Sequence, residues 1–385
     1  IYTHQYIYQH THCHTDEHPH RIPHSIWTMS DILPFLKSLI SVSGLSGDET
    51  PAADLIKKQW TPLVDEISQS ALASVHGLKR GTLKKNGSST PSVMIATHMD
   101  AIGMMVVRIV DGFIYITNVG GIDARVLPGT PVTVHTSGTK EELYGVIAMP
   151  PANLLPDGEG SGVVAMKYLV VDTGLTPGEV TKRVRVGDRI SFGTEPVEMS
   201  GGTISGHTLD NRASVAALTI CLEELQSKSH SWDVLATATV QEETSFGGAY
   251  TSGFQLRPTI AVVVDMTFGT GAGASGYQTF PLGKGVTLGI GPSIHPFLYK
   301  RFKEVAERVE IPVSDDLMPE YSSTDADALQ LIAEGIPTMV VSIPQRYMHT
   351  AVELVAMKDI HRAGRLLAEF IASLEADFME RITWD

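Results

Sequence analysis

Residues 232–254, WDVLATATVQEETSFGGAYTSGF, decide how the rest of the chain is read. The stretch opens as an apolar strand of Val, Leu, Ala and Thr and closes on two adjacent acids, Glu242 and Glu243. A Gly-Gly turn at 247–248 and a helix over 247–254 are expected next. A buried, ionised carboxylate must be hydrogen-bonded, paired or metal-bound. Where the chain curls at a strand end, neighbouring side chains diverge, so one acid can hold a metal while the other faces a water. Taken alone, the pair is better read as two solvated acids opening a loop. The surrounding sequence decides between these readings.

Outward from this stretch, strands alternate with helices. Apolar strands are expected at 92–97, 260–264 and 338–343, and helices at 213–225, 297–310, 326–334 and 360–374. This alternation predicts an α/β fold, a mostly parallel sheet between helix layers. Upstream, Ile32, Phe35, Leu36, Leu39 and Ile40 mark an amphipathic helix capped by Ser30 or Asp31. A break at 43–47 precedes a second helix over 49–60, and short β segments are expected at 67–75 and 82–84. The character changes at Gly103. Short Val/Ile/Thr-rich runs at 104–109, 113–117, 131–135, 145–149, 168–171 and 189–192 are separated by Gly, Pro and Asp turns, with a helix only at 177–184. That pattern predicts a small β-barrel or sandwich at 104–199, inserted into an α/β domain made of 30–103 and 200–385.

Composition narrows the function. The 385 residues are 43% hydrophobic, the mean hydropathy is +0.05, and no apolar run is long enough to span a membrane. A net charge of −14 without a basic run argues against nucleic acid or an anionic membrane as partner. Two cysteines, Cys13 and Cys221, exclude a disulfide framework and a thiolate zinc site, and Cys221 reads as a buried small hydrophobe. A cytoplasmic protein is expected. Residues 1–29 carry seven of the fifteen histidines and lack a signal-peptide core; they read as a tag or extension ahead of the fold.

In open α/β sheets, ligands gather beyond the carboxyl ends of the strands. Here the 92–97 strand ends in His98-Met-Asp100, 203–209 in Asp210, 234–240 in Glu242-Glu243 and 260–264 in Asp265. The 338–343 strand leads within six residues to His349. Imidazoles and carboxylates without thiolates suit zinc in first place, with cobalt or manganese as alternatives. Two dications balance three carboxylates and a bridging hydroxide, leaving one Glu free to move a proton. Spaced two apart, His98 and Asp100 share a strand face, so Asp100 can orient the ring.

The motifs THMDAIG (97–103), VGGID (119–123), LDNRA (209–213), VQEE (240–243), VD (264–265), STDA (323–326), SIPQR (342–346) and YMHT (347–350) together resemble the tetrahedral aminopeptidases. This co-catalytic metallopeptidase group includes glutamyl aminopeptidases and relatives described as endoglucanases. The resemblance spans about 30–374 and implies a three-layer zinc-peptidase domain with a PDZ-like β-barrel insert that mediates dimerisation. It implies two divalent metal ions, with Asp210 bridging, His98 and Asp265 on one, and Glu243 and His349 on the other. Glu242 would be general base and acid, a bridging hydroxide the nucleophile, and Asp100 the partner of His98. Peptides would be the substrates, and dimers would assemble into a hollow homo-dodecamer. Two positions depart from the group: Asn211 stands where a second Asp is usual, and Gly247 where Arg is common. Asp325, Asp327 and His295 are expected to make structural hydrogen bonds.

The metal set alone also suits a dinuclear deacylase acting on small N-acyl compounds. A glycosidase would need its carboxylates about 5–9.5 Å apart across a sugar bond, a weaker account of adjacent acids. A non-catalytic peptide-binding shell would be expected to have lost a ligand or the base, and this chain keeps them all.

Overall fold

The computed structural model describes residues 31–83, 90–158 and 162–384. The expectations for residues 1–29 and the Ser30 cap therefore lie outside the described residues. Three strands precede the insert: β1 (Glu66–Gln69), β2 (Val75–Lys79) and β3 (Ser92–His98). Six more form the insert: β4 (Gly103–Val110), β5 (Phe113–Val119), β6 (Pro131–His135), β7 (Glu142–Ala148), β8 (Val170–Asp172) and β9 (Arg189–Phe192). After it come β10 (Val197–Met199), β11 (Thr203–Gly206), β12 (Asp233–Thr239) and β13 (Ile260–Phe268). The last are β14 (Val286–Ile290), β15 (Val313–Leu317), β16 (Thr338–Arg346) and β17 (Glu353–Ala356).

The large sheet runs β1-β2-β12-β3-β13-β16-β17-β11-β10, with β14 and β15 branching from β16. Its centre, β12-β3-β13-β16, is parallel throughout, and β3 is buried along its whole length. Continuous apolar runs fit such strands because helices cover both faces. Helices Leu209–Glu224 and Met357–Ala372 pack on each other, the first also on β3 and β13 and the second on β16. Helices Gly247–Leu256 and Ala326–Leu329 pack on each other, the first on β12 and the second on β13 and β16. Around these lies one continuous core containing Trp60 and Trp232. Each indole N–H finds an acceptor, Thr219 Oγ1 and the Glu375 carbonyl respectively, both at 2.9 Å, which removes the cost of burying an unpaired donor.

The insert closes as a six-stranded barrel, β4-β5-β8-β7-β6-β9, around its own core of Met104, Ile114, Val134, Ile147, Val171 and Ile190. All six expected barrel strands are present and the 177–184 helix is Pro177–Arg183.

Several local expectations are corrected. Helix Leu33–Ile40 has no side-chain cap, Ile32 occupying the N-cap position. The 67–75 segment is two strands around a turn at Ala73, and 82–83 form no strand, residue 84 being outside the described residues. The 326–334 helix stops at Leu329. No turn forms at Gly247-Gly248. Phe246, with φ +55°, makes the break and both glycines begin the next helix. A Cβ on Gly248 would lie 2.4 Å from the Val240 amide nitrogen, so only glycine lets this helix start against the strand end. Asp210 does not end a parallel strand either. It follows the antiparallel β11 and a left-handed Thr208, at the irregular start of helix Leu209–Glu224.

Candidate active site

The parallel strands deliver the polar groups to one place. His98 is the last residue of β3, Asp265 lies in β13, and the short helix Glu242–Ser245 follows β12 after a left-handed Gln241. His349 follows β16, itself left-handed at φ +62°. The His98 Nε2 lies 3.3 Å from Asp210 Oδ1, 3.7 Å from Asp265 Oδ1 and 3.8 Å from Glu242 Oε2. The His349 Nε2 lies 3.6 Å from Asp210 Oδ2 and 3.4 Å from Glu243 Oε2. The two oxygens of Asp210 thus face different imidazoles. Two groups of donor atoms, His98-Asp210-Glu243 and His98-Glu242-Asp265, are close enough together to hold a metal ion.

Asp100 has a wider role than orienting a ring. Its carboxylate lies 3.5 Å from His98 Nδ1. It also accepts the amides of Glu242 and Glu243 at 3.0 and 3.2 Å, and the Ser46 hydroxyl. One fully buried acid therefore anchors both the imidazole and the turn carrying the glutamate pair. The bond of His98 Nδ1 to the Asp100 carbonyl, 3.2 Å, leaves the Nε2 lone pair turned toward the acids.

Burial raises the Glu242 carboxyl well above its ordinary value; Asp265, Asp325 and Glu243 add repulsion that the nearby His98 only partly offsets. Burial would lower the His98 imidazole, but Glu242 and hydrogen bonds to Asp100, Asp210 and Asp265 carry it well up instead. His349 is likewise pulled down by burial and carried up to about 9 by Glu243 and Asp210. Burial also lifts Asp325 to about 7. Such crowding of sunken carboxylates calls for added positive charge. The buried Arg212 does not supply it directly, since it donates to the carbonyls of Met99, Leu39 and Val42. Nitrogen and oxygen donors around a shared carboxylate fit divalent ions of the zinc type.

The acids open into a cleft of about 580 Å³, lined on other sides by Phe246, Phe268, Asp316, Leu317, Met318 and Met348. The barrel reaches it through Gly121, where a Cβ would lie 3.1 Å from the His349 ring. The family model for M42 glutamyl aminopeptidases matches residues 81–366. This chain belongs to the M42 aminopeptidase family. It is an enzyme that hydrolyses peptide bonds. It is 30% identical to a lysyl aminopeptidase of Pyrococcus furiosus over 345 residues, 88% of this chain and 96% of the relative. A TET aminopeptidase from a marine-sediment thaumarchaeote superposes with a TM-score of 0.84 at 28% identity, covering 91% of this chain and 99% of that one. The TET1 peptidase of Pyrococcus horikoshii, which can assemble into a tetrahedron or a large octahedral shell, matches at TM-score 0.76 and 25% identity, covering 89% and 100%. Among the described residues of the M42 chain, no helix is long and apolar enough to cross a membrane.

Sequence reading missed some of the M42 site. Buried Glu353, on β17, accepts the amides of Asp210 at 3.1 Å and His349 at 3.0 Å, tying together two loops that are distant in sequence. The only available signal was an isolated acid in an apolar strand, ELVA. Asn211 is fully buried, and its Nδ2 donates to the Val264 carbonyl at 2.8 Å, a bond that the usual ionised Asp could not make. Asp327 accepts the Ser322 and Ser323 amides, and Asp325 accepts the Thr239 hydroxyl. His295 packs edge-on against Trp384.

Proposed function

We propose that the chain removes N-terminal residues from peptides with the help of two divalent metal ions, zinc in first place and cobalt or manganese as alternatives. His98 and Asp265 would hold one ion, Glu243 and His349 the other, and Asp210 both. The observation that carries this reading is the arrangement of Asp210, whose two oxygens face two separate imidazoles. Bound there, such ions would polarise the scissile carbonyl and acidify a water between them.

The remaining chemistry belongs to the protein. Glu242, high in pKa and beside His98, takes the proton of the attacking water at its carboxylate and returns it to the departing amine. Asp100 keeps that glutamate in place through its backbone amide. A metal ion or an acidic side chain of the cleft would anchor the free α-amine, which restricts cleavage to the terminus.

The insert at 104–199 is assigned to dimerisation, supported by exposed apolar side chains on the barrel, including Phe113, Tyr144, Val146 and Met149. A dodecamer built from such dimers is the proposed assembly, supported by the likeness to TET peptidases, and a cytoplasmic location fits the two-cysteine composition. The test is a panel of aminoacyl-anilides and N-acetyl amino acids, assayed with elemental analysis of bound metal. Cleavage of the anilides alone, with metal present, is the expected result. Cleavage confined to the N-acetyl compounds would replace the aminopeptidase reading with a deacylase.

A further inference from the structure

Asp316 is a buried acid in the cleft wall that the chemistry above leaves unused. Resting on the reading that peptides enter here, we infer that Asp316 receives the side chain of the substrate's first residue and selects a basic one, lysyl or arginyl. Its Oδ2 accepts the Thr267 hydroxyl at 2.8 Å and the Thr287 hydroxyl at 3.2 Å. Its Oδ1 accepts from no described group, and among the described residues no cation pairs with it. Oδ1 is open to the cleft, so an arriving cation can pair with it without displacing either hydroxyl.

The distance fits. Asp265 and Thr267 are two apart on β13 and share a face, a step of about 6.6 Å along the strand. An extended lysine carries its ammonium on the order of 6 Å from its Cα, across five covalent bonds. A peptide whose terminal carbonyl lies beside Asp265 therefore places that ammonium near the acid bonded by Thr267. The walls suit the stem: Phe268, Leu317, Met318 and Met348 line the same cleft, and lysine and arginine bury their methylenes on such surfaces. Among the described lining residues none is lysine or arginine, so a glutamyl side chain would meet carboxylates and no counter-charge.

The test uses the full metal-loaded chain with lysyl-, arginyl-, norleucyl- and glutamyl-anilides. The expected order in kcat/KM is lysyl and arginyl above norleucyl, with glutamyl last. Asp316→Asn should lower the lysyl-to-norleucyl ratio roughly ten- to hundredfold, the worth of one charge-assisted hydrogen bond, and Asp316→Glu should restore part of it. As a second readout, n-butylamine should inhibit the unmodified enzyme more strongly than the Asp316→Asn variant, while n-butanol should inhibit both alike. Norleucyl cleaved as well as lysyl, or a ratio unchanged by Asp316→Asn, would overturn the assignment of Asp316 while leaving the aminopeptidase intact. Failure of every aminoacyl-anilide would instead strike the parent reading, and this inference with it.

Discussion

The central sheet and the barrel bury their apolar residues by opposite rules. Strand β3 is buried at every position, whereas β5 and β7 alternate between inner and outer residues. Helices on both faces demand the first pattern; a small closed barrel with solvent outside demands the second. The consequence reaches function. In β3 and β12 the polar groups come at or just past the strand end, as His98 and the glutamate pair, while Asp265 sits inside β13 three residues before its end, and all of them meet in one place. The barrel has a whole outer surface for contacts, and among the described residues it lines the cleft with the loop at Gly121 alone.

This contrast can be broken experimentally, beginning with the largest effect. Removing divalent ions with a chelator should abolish turnover and lower the melting temperature, because an ion that binds only the folded state stabilises it; full activity in a metal-free sample would end the metal reading. Glu242→Gln should retain bound metal by elemental analysis and lose about 10²- to 10⁴-fold in kcat. A fully metallated variant with near-normal kcat would remove Glu242 from its assigned role.

Stability of the sheet should also respond to acid. Burial lowers His76 to about 4, and its Nε2 lies 2.9 Å from the Ser252 hydroxyl. The unfolded chain therefore binds the proton first. The contribution is present above about pH 6.5 and is lost as pH falls toward about 4, amounting to roughly 3 kcal/mol at most. Denaturant melts of His76→Gln should fall less steeply over that window than those of the unmodified chain; parallel curves would exclude the effect. Glu353→Gln, which disturbs the bond shared by the Asp210 and His349 loops, should weaken metal affinity about ten- to hundredfold, measured by competition with a calibrated chelator. Smallest in turnover should be Tyr144→Ser with Phe113→Ser on the barrel. They should shift the assembly toward smaller species in analytical ultracentrifugation while single-residue anilides are still cleaved; an unchanged assembly would place the subunit contact elsewhere.

Much of this could be read before any coordinates. The uninterrupted run at 92–97 and the alternating runs at 104–192 each match a distinct environment, and acids or imidazoles directly after apolar strands stand out against it. Other elements escaped for physical reasons. Strands β14 and β15 are short, and β15 mixes Val313 and Leu317 with Ser and Asp, so neither period is visible. Glu353 and Asp316 occupy strands whose neighbours say nothing of a site.

The sequence by itself determined the layered α/β class, the inserted barrel and which acids and imidazoles would stand out beside apolar strands, because periodicity and local polarity are properties of neighbouring residues. Only the tertiary structure decided that Asp210 turns one oxygen to each imidazole, that Asp100 and Glu353 grip the backbone of the loops around it, and that Asp316 lies in the cleft wall bonded to Thr267 and Thr287. Those facts depend on which strands lie side by side and on directions in space, which no spacing along the chain encodes.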